Sequence, residues 1–181
     1  ATVSFATLAI PEMVPYETTF DDGIWFTAGH QSNAWVVGEE TGNEAPAAYV
    51  SNDGTSYAAT ISSSQTISHI YKDFNFGETE DEFELTFDWK VTGRQEGSSI
   101  YGGIAAYIVD VTTIPTTSTL SSANMVAVVL GSDEWATERV YLGNLTGEKR
   151  LVFTAIGYAT DAEAVTPAAI DNISLSVSQC S

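Results

Sequence analysis

The residues in this chain best suited to chemistry are oxygen donors set at turns. They are Asp21 and Asp22 in "TTFDDG", Glu39 and Glu40 in "VVGEE", Asn52 and Asp53 in "VSNDG", and Asp171 and Asn172 in "AAIDNIS". Calcium takes about six to eight oxygen ligands, mixing carboxylates, amide and backbone carbonyls and water, and short acidic turns supply that mixture. No Asp-x-Asp-x-Asp-Gly loop occurs, which excludes an EF-hand. Asx turns, in which the side chain bonds its own backbone, account for each of these clusters equally well. On the residues alone both readings stay open.

Other chemistries find little to work with. The two histidines are His30 and His69, and His69 sits inside the strand-like "TISHIYKDF", where a structural role is expected. There is no Gly-x-Ser-x-Gly elbow, no His-x-x-x-His or paired-cysteine spacing, and no glycine-rich phosphate loop. Carboxylate pairs can be drawn by chance from 24 acidic residues and carry no weight. The expectation is a protein that is not an enzyme. Cys180 is the single cysteine; it is either inconsequential or paired with a cysteine beyond residue 181.

Charge narrows the partners. With 24 acidic against 6 basic residues in 181, the formal net charge is -18. Such a polyanion repels nucleic acid and anionic membrane surfaces, and it favours bound cations. No apolar run approaches the roughly 18 residues of a membrane-spanning helix. The opening "ATVSFATLAI" has no basic-then-apolar leader, so the expectation is a leader already removed or a chain cut from a longer one.

The elements that must position these donors are strands. In "FELTFDWKV" the apolar Phe83, Leu85, Phe87, Trp89 and Val91 alternate with Glu84, Thr86, Asp88 and Lys90, the period of a strand with one buried face. "AAYVS", "SHIYKDFNF", "GIAAYIVDV", "NMVAVVL", "RVYLGNL", "KRLVFTAIGY" and "AIDNISLSV" also read as strands, separated by turns rich in Gly, Asn, Asp and Ser. Many short strands without helices between them predict an all-β sandwich or barrel, here a single domain over residues 1–181. The acidic "GETEDEFE" reads as the charged end of a hairpin. Among the tryptophans, Trp89 falls on the apolar phase. Trp25 and Trp135 lie nearer loops, where a ring either packs into the core or stacks on a sugar face.

Taken in order, "NAWVVGEETG", "AAYVSNDG", "SHIYKDFNF", "FELTFDWKVTG", "IAAYIVD", "RLVFTAIGY" and "PAAIDNISLSV" resemble the choice-of-anchor J and cleaved-adhesin group, MAM-like jelly-roll modules of secreted and surface proteins of Bacteroidetes. The resemblance runs over roughly residues 17 to 178, and its most specific parts are Phe-Asp-Trp-Lys, Ser-Asn-Asp-Gly and Ala-Ala-Ile-Asp-Asn-Ile. "GRQEGSSIYGG" and "TAIGYATDAEAVTPAA" depart from the usual pattern, so the resemblance does not carry a ligand. It implies a two-sheet antiparallel jelly-roll β-sandwich, a secreted or cell-surface location and structural calcium (Ca2+). It also implies that Asp21 and Asp171 share that ion, with Asn52 or Asp53 as a further ligand, and that Trp35 is a core residue. The implied role is non-catalytic adhesion or surface recognition. The partners would be a host or cell-surface protein or glycan, beside other domains of a parent chain. Two alternatives are a carbohydrate-binding module of a secreted hydrolase and a structural subunit that polymerises through its sheet edges.

Overall fold

The alternation in "FELTFDWKV" becomes β7 (Asp81–Val91) in the computed structural model, and all five of its apolar residues are buried. The structure describes residues 10–44, 46–60, 64–157 and 166–179, and Cys180 lies outside them. Ahead of β7 come β1 (Glu12–Met13), β2 (Tyr16–Thr18), β3 (Phe26–Gly29), β4 (Ala34–Gly38), β5 (Ala47–Ser51) and β6 (Thr66–Asn75). After it come β8 (Arg94–Glu96), β9 (Ser99–Tyr101), β10 (Gly103–Asp110), β11 (Met125–Val129), β12 (Ser132–Leu145), β13 (Glu148–Gly157) and β14 (Ala169–Val177). All eight strands read from periodicity are present. The ones that reading misses, β1 to β4 with β8 and β9, are mostly two to four residues long, too short to show a period.

Two sheets form the sandwich. The first runs β6-β13-β10-β11, with β1 and β3 both on the free side of β6; the second runs β12-β7-β14-β5-β4, with β2 also against β14. Pairing between strands is antiparallel throughout except for the short β1–β6 contact. This is the expected all-β, two-sheet jelly-roll sandwich. Between the sheets pack Phe74, Phe87, Phe153, Ile104, Leu85 and Ile170, with Trp25 and Trp35 also inside. Each large side chain buried this completely contributes about 1.5–3 kcal/mol, so the framework that holds the loops is rigid.

A second, smaller apolar cluster lies on the outer face of the first sheet, formed by Ile67, Tyr107, Val109, Val152 and Ile156. The 111–124 loop lies over it. Leu120 packs on the cluster, the Ser118 carbonyl meets His69 Nε2 at 3.0 Å, and Arg150 donates to the Thr113 carbonyl at 2.5 Å.

Candidate functional site

The break in the last strand has a geometric cause. Ile170 and Ile173 both face the core, yet they are three positions apart, and in a regular strand they would point to opposite faces. A bulge between Asp171 and Ser174 against β7 absorbs the mismatch. Asn172 takes the strained position with φ 46°, in the left-handed region that asparagine tolerates better than most residues. Its amide group donates to Asp88 Oδ2 at 2.8 Å, and its backbone N–H donates to Asp171 Oδ1 at 2.8 Å.

Three elements then bury the Asp171 carboxylate. β7 sets Asp88 directly across from it in register. β2 pairs with β14 at Thr18↔Ile173, which swings the following turn, with Asp21, towards the bulge. That turn closes through Gly23 N–H to the Phe20 carbonyl at 3.1 Å, and Phe20 itself sits at φ 60° with its ring in the core. From the loop after β4, the backbone N–H of Asn43 comes near enough to Asp171 to lower its pKa, and the Asn43 side-chain amide donates to Asp88 Oδ2. Asp88 Oδ1 also accepts from Thr137 of β12.

Asp171 ends 0 % exposed, and its Oδ2 has no hydrogen-bond partner among the described residues. Burial, helped by the nearby Asp88 and Asp21 charges and opposed by the Asn172 and Asn43 N–H groups, pushes its pKa up to about 6. A buried carboxylate oxygen facing two other acids, with no donor of its own, is the environment a cation would satisfy. Among the described residues, no three His, Cys, Asp or Glu side chains close into a metal-holding group by themselves. A calcium ion here would therefore draw its remaining ligands from amide and backbone carbonyls and water.

Asn52 and Asp53 do not join this site. Asp53 caps its own turn: Oδ1 accepts from the N–H groups of Thr55 and Ser56 and the hydroxyl of Ser51, and Oδ2 accepts from the Ser56 hydroxyl at 2.6 Å. These bonds, led by those from Ser56, hold its carboxyl far below the usual carboxylate range. Asn52 is exposed beside it. Asp88 and Asn43 occupy the places around Asp171 instead. Asp88 lies on the polar phase of "FELTFDWKV", but which residue of β14 it faces depends on register, which spacing does not reveal.

Trp25 offers no stacking surface. At 6 % exposure it packs against Phe20, Phe74 and Phe153. Trp135 is half-buried on the outer face of the second sheet, and the Lys90 ammonium lies 5.3 Å from its ring centre and 5.0 Å from that of Tyr57. A cation thus already sits over the Trp135 ring. His69 is fully buried with Nδ1 2.8 Å from the Thr154 hydroxyl, and His30 caps the short turn at Gln31–Asn33.

No protein-family profile matches the sequence, and no curated protein matches it in sequence. Solved structures do match in shape. The K1 cleaved adhesin domain of Lys-gingipain from Porphyromonas gingivalis aligns at 14% identity over 92% of this chain and 99% of that one, with a TM-score of 0.58. TmCBM61, solved in complex with β-1,4-galactotriose, aligns at 13% identity over 88% and 94%, with a TM-score of 0.56. The CBM22-1 xylan-binding domain of Paenibacillus barcinonensis Xyn10C aligns at 11% identity over 96% and 100%, with a TM-score of 0.53. At these identities the likeness is one of fold: the chain shares the β-sandwich of a cleaved adhesin domain and of carbohydrate-binding modules.

Proposed function

We propose that this protein is a non-catalytic recognition domain of a secreted or cell-surface protein, whose second sheet is tied together by calcium at Asp171 and Asp21, with the rest of its ligands from amide and backbone carbonyls and water. The observation that carries the reading is the fully buried Asp171 with Oδ2 unpartnered and two carboxylates beside it. The ion would join β14 and the turn after β2. Fold likeness supports recognition as the role, since its counterparts span nearly this whole chain and are adhesin or carbohydrate-binding domains. The partner is a cell-surface protein or glycan.

The residues with perturbed acidity support binding over catalysis. Both ring nitrogens of His69 are engaged, which leaves it no free position for proton transfer to a substrate. The second reading, a carbohydrate-binding module, has one observation in its favour. Phe26 and Tyr71 pair across β3 and β6 with ring centres 5.8 Å apart and planes 28° apart, and Phe26 is 52 % exposed.

Two experiments test the proposal. Calorimetric titration of calcium into the EDTA-treated protein is expected to give one site, lost in Asp171→Ala; absence of heat and of any stability change overturns the calcium tie. The labelled domain is expected to be retained on intact cells, and pretreatment of the cells with protease or with glycosidase separates protein from glycan partners. Failure to bind any surface in millimolar calcium overturns the recognition role.

A further inference from the structure

A cleft of about 410 Å³ opens on the outer face of the first sheet, between β9 and the 111–124 loop. Its volume lies within the range of small-molecule sites, about 300–1,000 Å³. Leu120 and Met125 give it apolar walls, while Ser99, Thr119 and Ser122 add hydroxyls and Gln65 an amide. None of the residues that line it carries a charge, in a chain with 24 acidic residues. An anionic ligand would find no cation there and would meet the repulsion of the whole protein.

Tyr107 lines the same cleft. It stands on β10 in one cross-strand row with Val152 of β13 and Met125 of β11. The residue is fully buried, and its hydroxyl has no hydrogen-bond partner among the described residues. Burial accordingly pushes the phenol's pKa up. An orphaned buried hydroxyl destabilises the fold, and phenylalanine would pack in the same space without that cost. A hydroxyl kept under those conditions fits a bond to something outside the chain.

We propose that this cleft is a binding site for a neutral, hydroxyl-rich ligand of the sugar class, which bonds the Tyr107 hydroxyl and rests an apolar C–H face on Leu120 and Met125. The proposal rests on the recognition reading above and names its site and ligand class. Sugars match the lining because each ring offers hydroxyls at its edge and an apolar face, and this cleft mixes uncharged donors and acceptors with apolar walls.

The test follows the amide NMR spectrum of the whole chain during titration with xylotriose and β-1,4-galactotriose, and with a galacturonic acid trimer as the anionic counterpart. A neutral trimer is expected to shift Tyr107, Ser99 and Leu120, and the anionic one to bind more weakly. Tyr107→Phe is expected to weaken the neutral sugar about three- to tenfold, the worth of one neutral hydrogen bond. Its unfolding midpoint should be unchanged or higher. No shift with either neutral trimer at millimolar concentration overturns the proposal. So does preference for the anionic trimer, or a lower midpoint in Tyr107→Phe, which would mean that the hydroxyl is partnered within the protein. Shifts that map to another face also overturn it while leaving the recognition role standing; that role fails only on the cell-retention test.

Discussion

Asp53 and Asp171 each sit next to an asparagine at the end or in a break of a strand, and their surroundings are opposite. Asp53 is satisfied locally, by hydroxyls and N–H groups from Ser51, Thr55 and Ser56, and stays ionised. Asp171 is satisfied only in part, by the neighbouring Asn172 N–H on Oδ1, with Asn43 of a distant loop lowering and the charges of Asp88 and Asp21 raising its pKa. The same short acidic motif thus closes on itself in one place and leaves a buried carboxylate oxygen unpartnered among the described residues in the other. What separates them is tertiary: the bulge in β14, the pairing of β2, and the register with β7.

The sharpest way to break this comparison is Asp171→Ala. At calcium 100-fold above its Kd, the ion adds about 2.7 kcal/mol to a folded state that alone binds it. For a chain of this size that is a midpoint rise of about 5–11 °C, at roughly 2–4 °C per kcal/mol. The variant is expected to lose the whole rise, as read by thermal unfolding with and without the ion. Asp88→Asn is expected to shrink the rise without abolishing it, because it removes one charge and leaves Asp171 in place. An unchanged rise in Asp88→Asn would show that Asp88 only positions Asn43 and Asn172.

Acidity sharpens the contrast further, because the two aspartates pull in opposite directions. The raised pKa of Asp171 means that the calcium-free fold binds its proton more tightly than the unfolded chain does. Its contribution is full below about pH 4 and is lost as pH climbs through about 6. Asp53 is depressed, so its contribution is present above about pH 4 and is lost as pH falls. His69, whose pKa burial lowers, adds a further loss of stability on acidification. The Asp171 contribution is therefore read as the difference between wild type and Asp171→Asn across pH 4 to 7, and a flat difference would refute it. In calcium the order inverts: the ion needs the carboxylate, so its effect should fade below about pH 6.

The smallest effect belongs to Asp53→Ala. It is expected to lower the midpoint modestly and equally in EDTA and in calcium, since its bonds lie within its own turn. A calcium-dependent loss would bring Asp53 back as a ligand.

How much was legible in the sequence follows the same line between local and tertiary. The period of two in β7, and the apolar runs of β10 and β13, announce strands and a sandwich, because alternation is a local consequence of burying one face. The Asp53 cap is equally local. The position of Trp25 is not: its neighbours Asp21, Asp22 and Gly23 look like an exposed loop, yet the turn folds back and lays the ring on Phe74. Nothing in the spacing of Asp21 and Asp171 ties them together, and only the family resemblance pairs them. Asp88 and Asn43 lay beyond reach because register across β7 and β14, and the fold of the loop after β4, are set by packing that no short stretch encodes.

The measurement that tests the central claim most directly is thermal unfolding of wild type and Asp171→Asn, each in excess EDTA and in millimolar calcium. The calcium-tied sandwich predicts a clear rise for wild type, none for the variant, and an EDTA midpoint in the variant at least equal to that of wild type, because the amide removes a buried charge crowded by Asp88 and Asp21. Equal midpoints for wild type in both conditions, or the same rise in both proteins, would contradict it and return Asp171 and Asn172 to the role of a bulge that keeps Ile170 and Ile173 on one face.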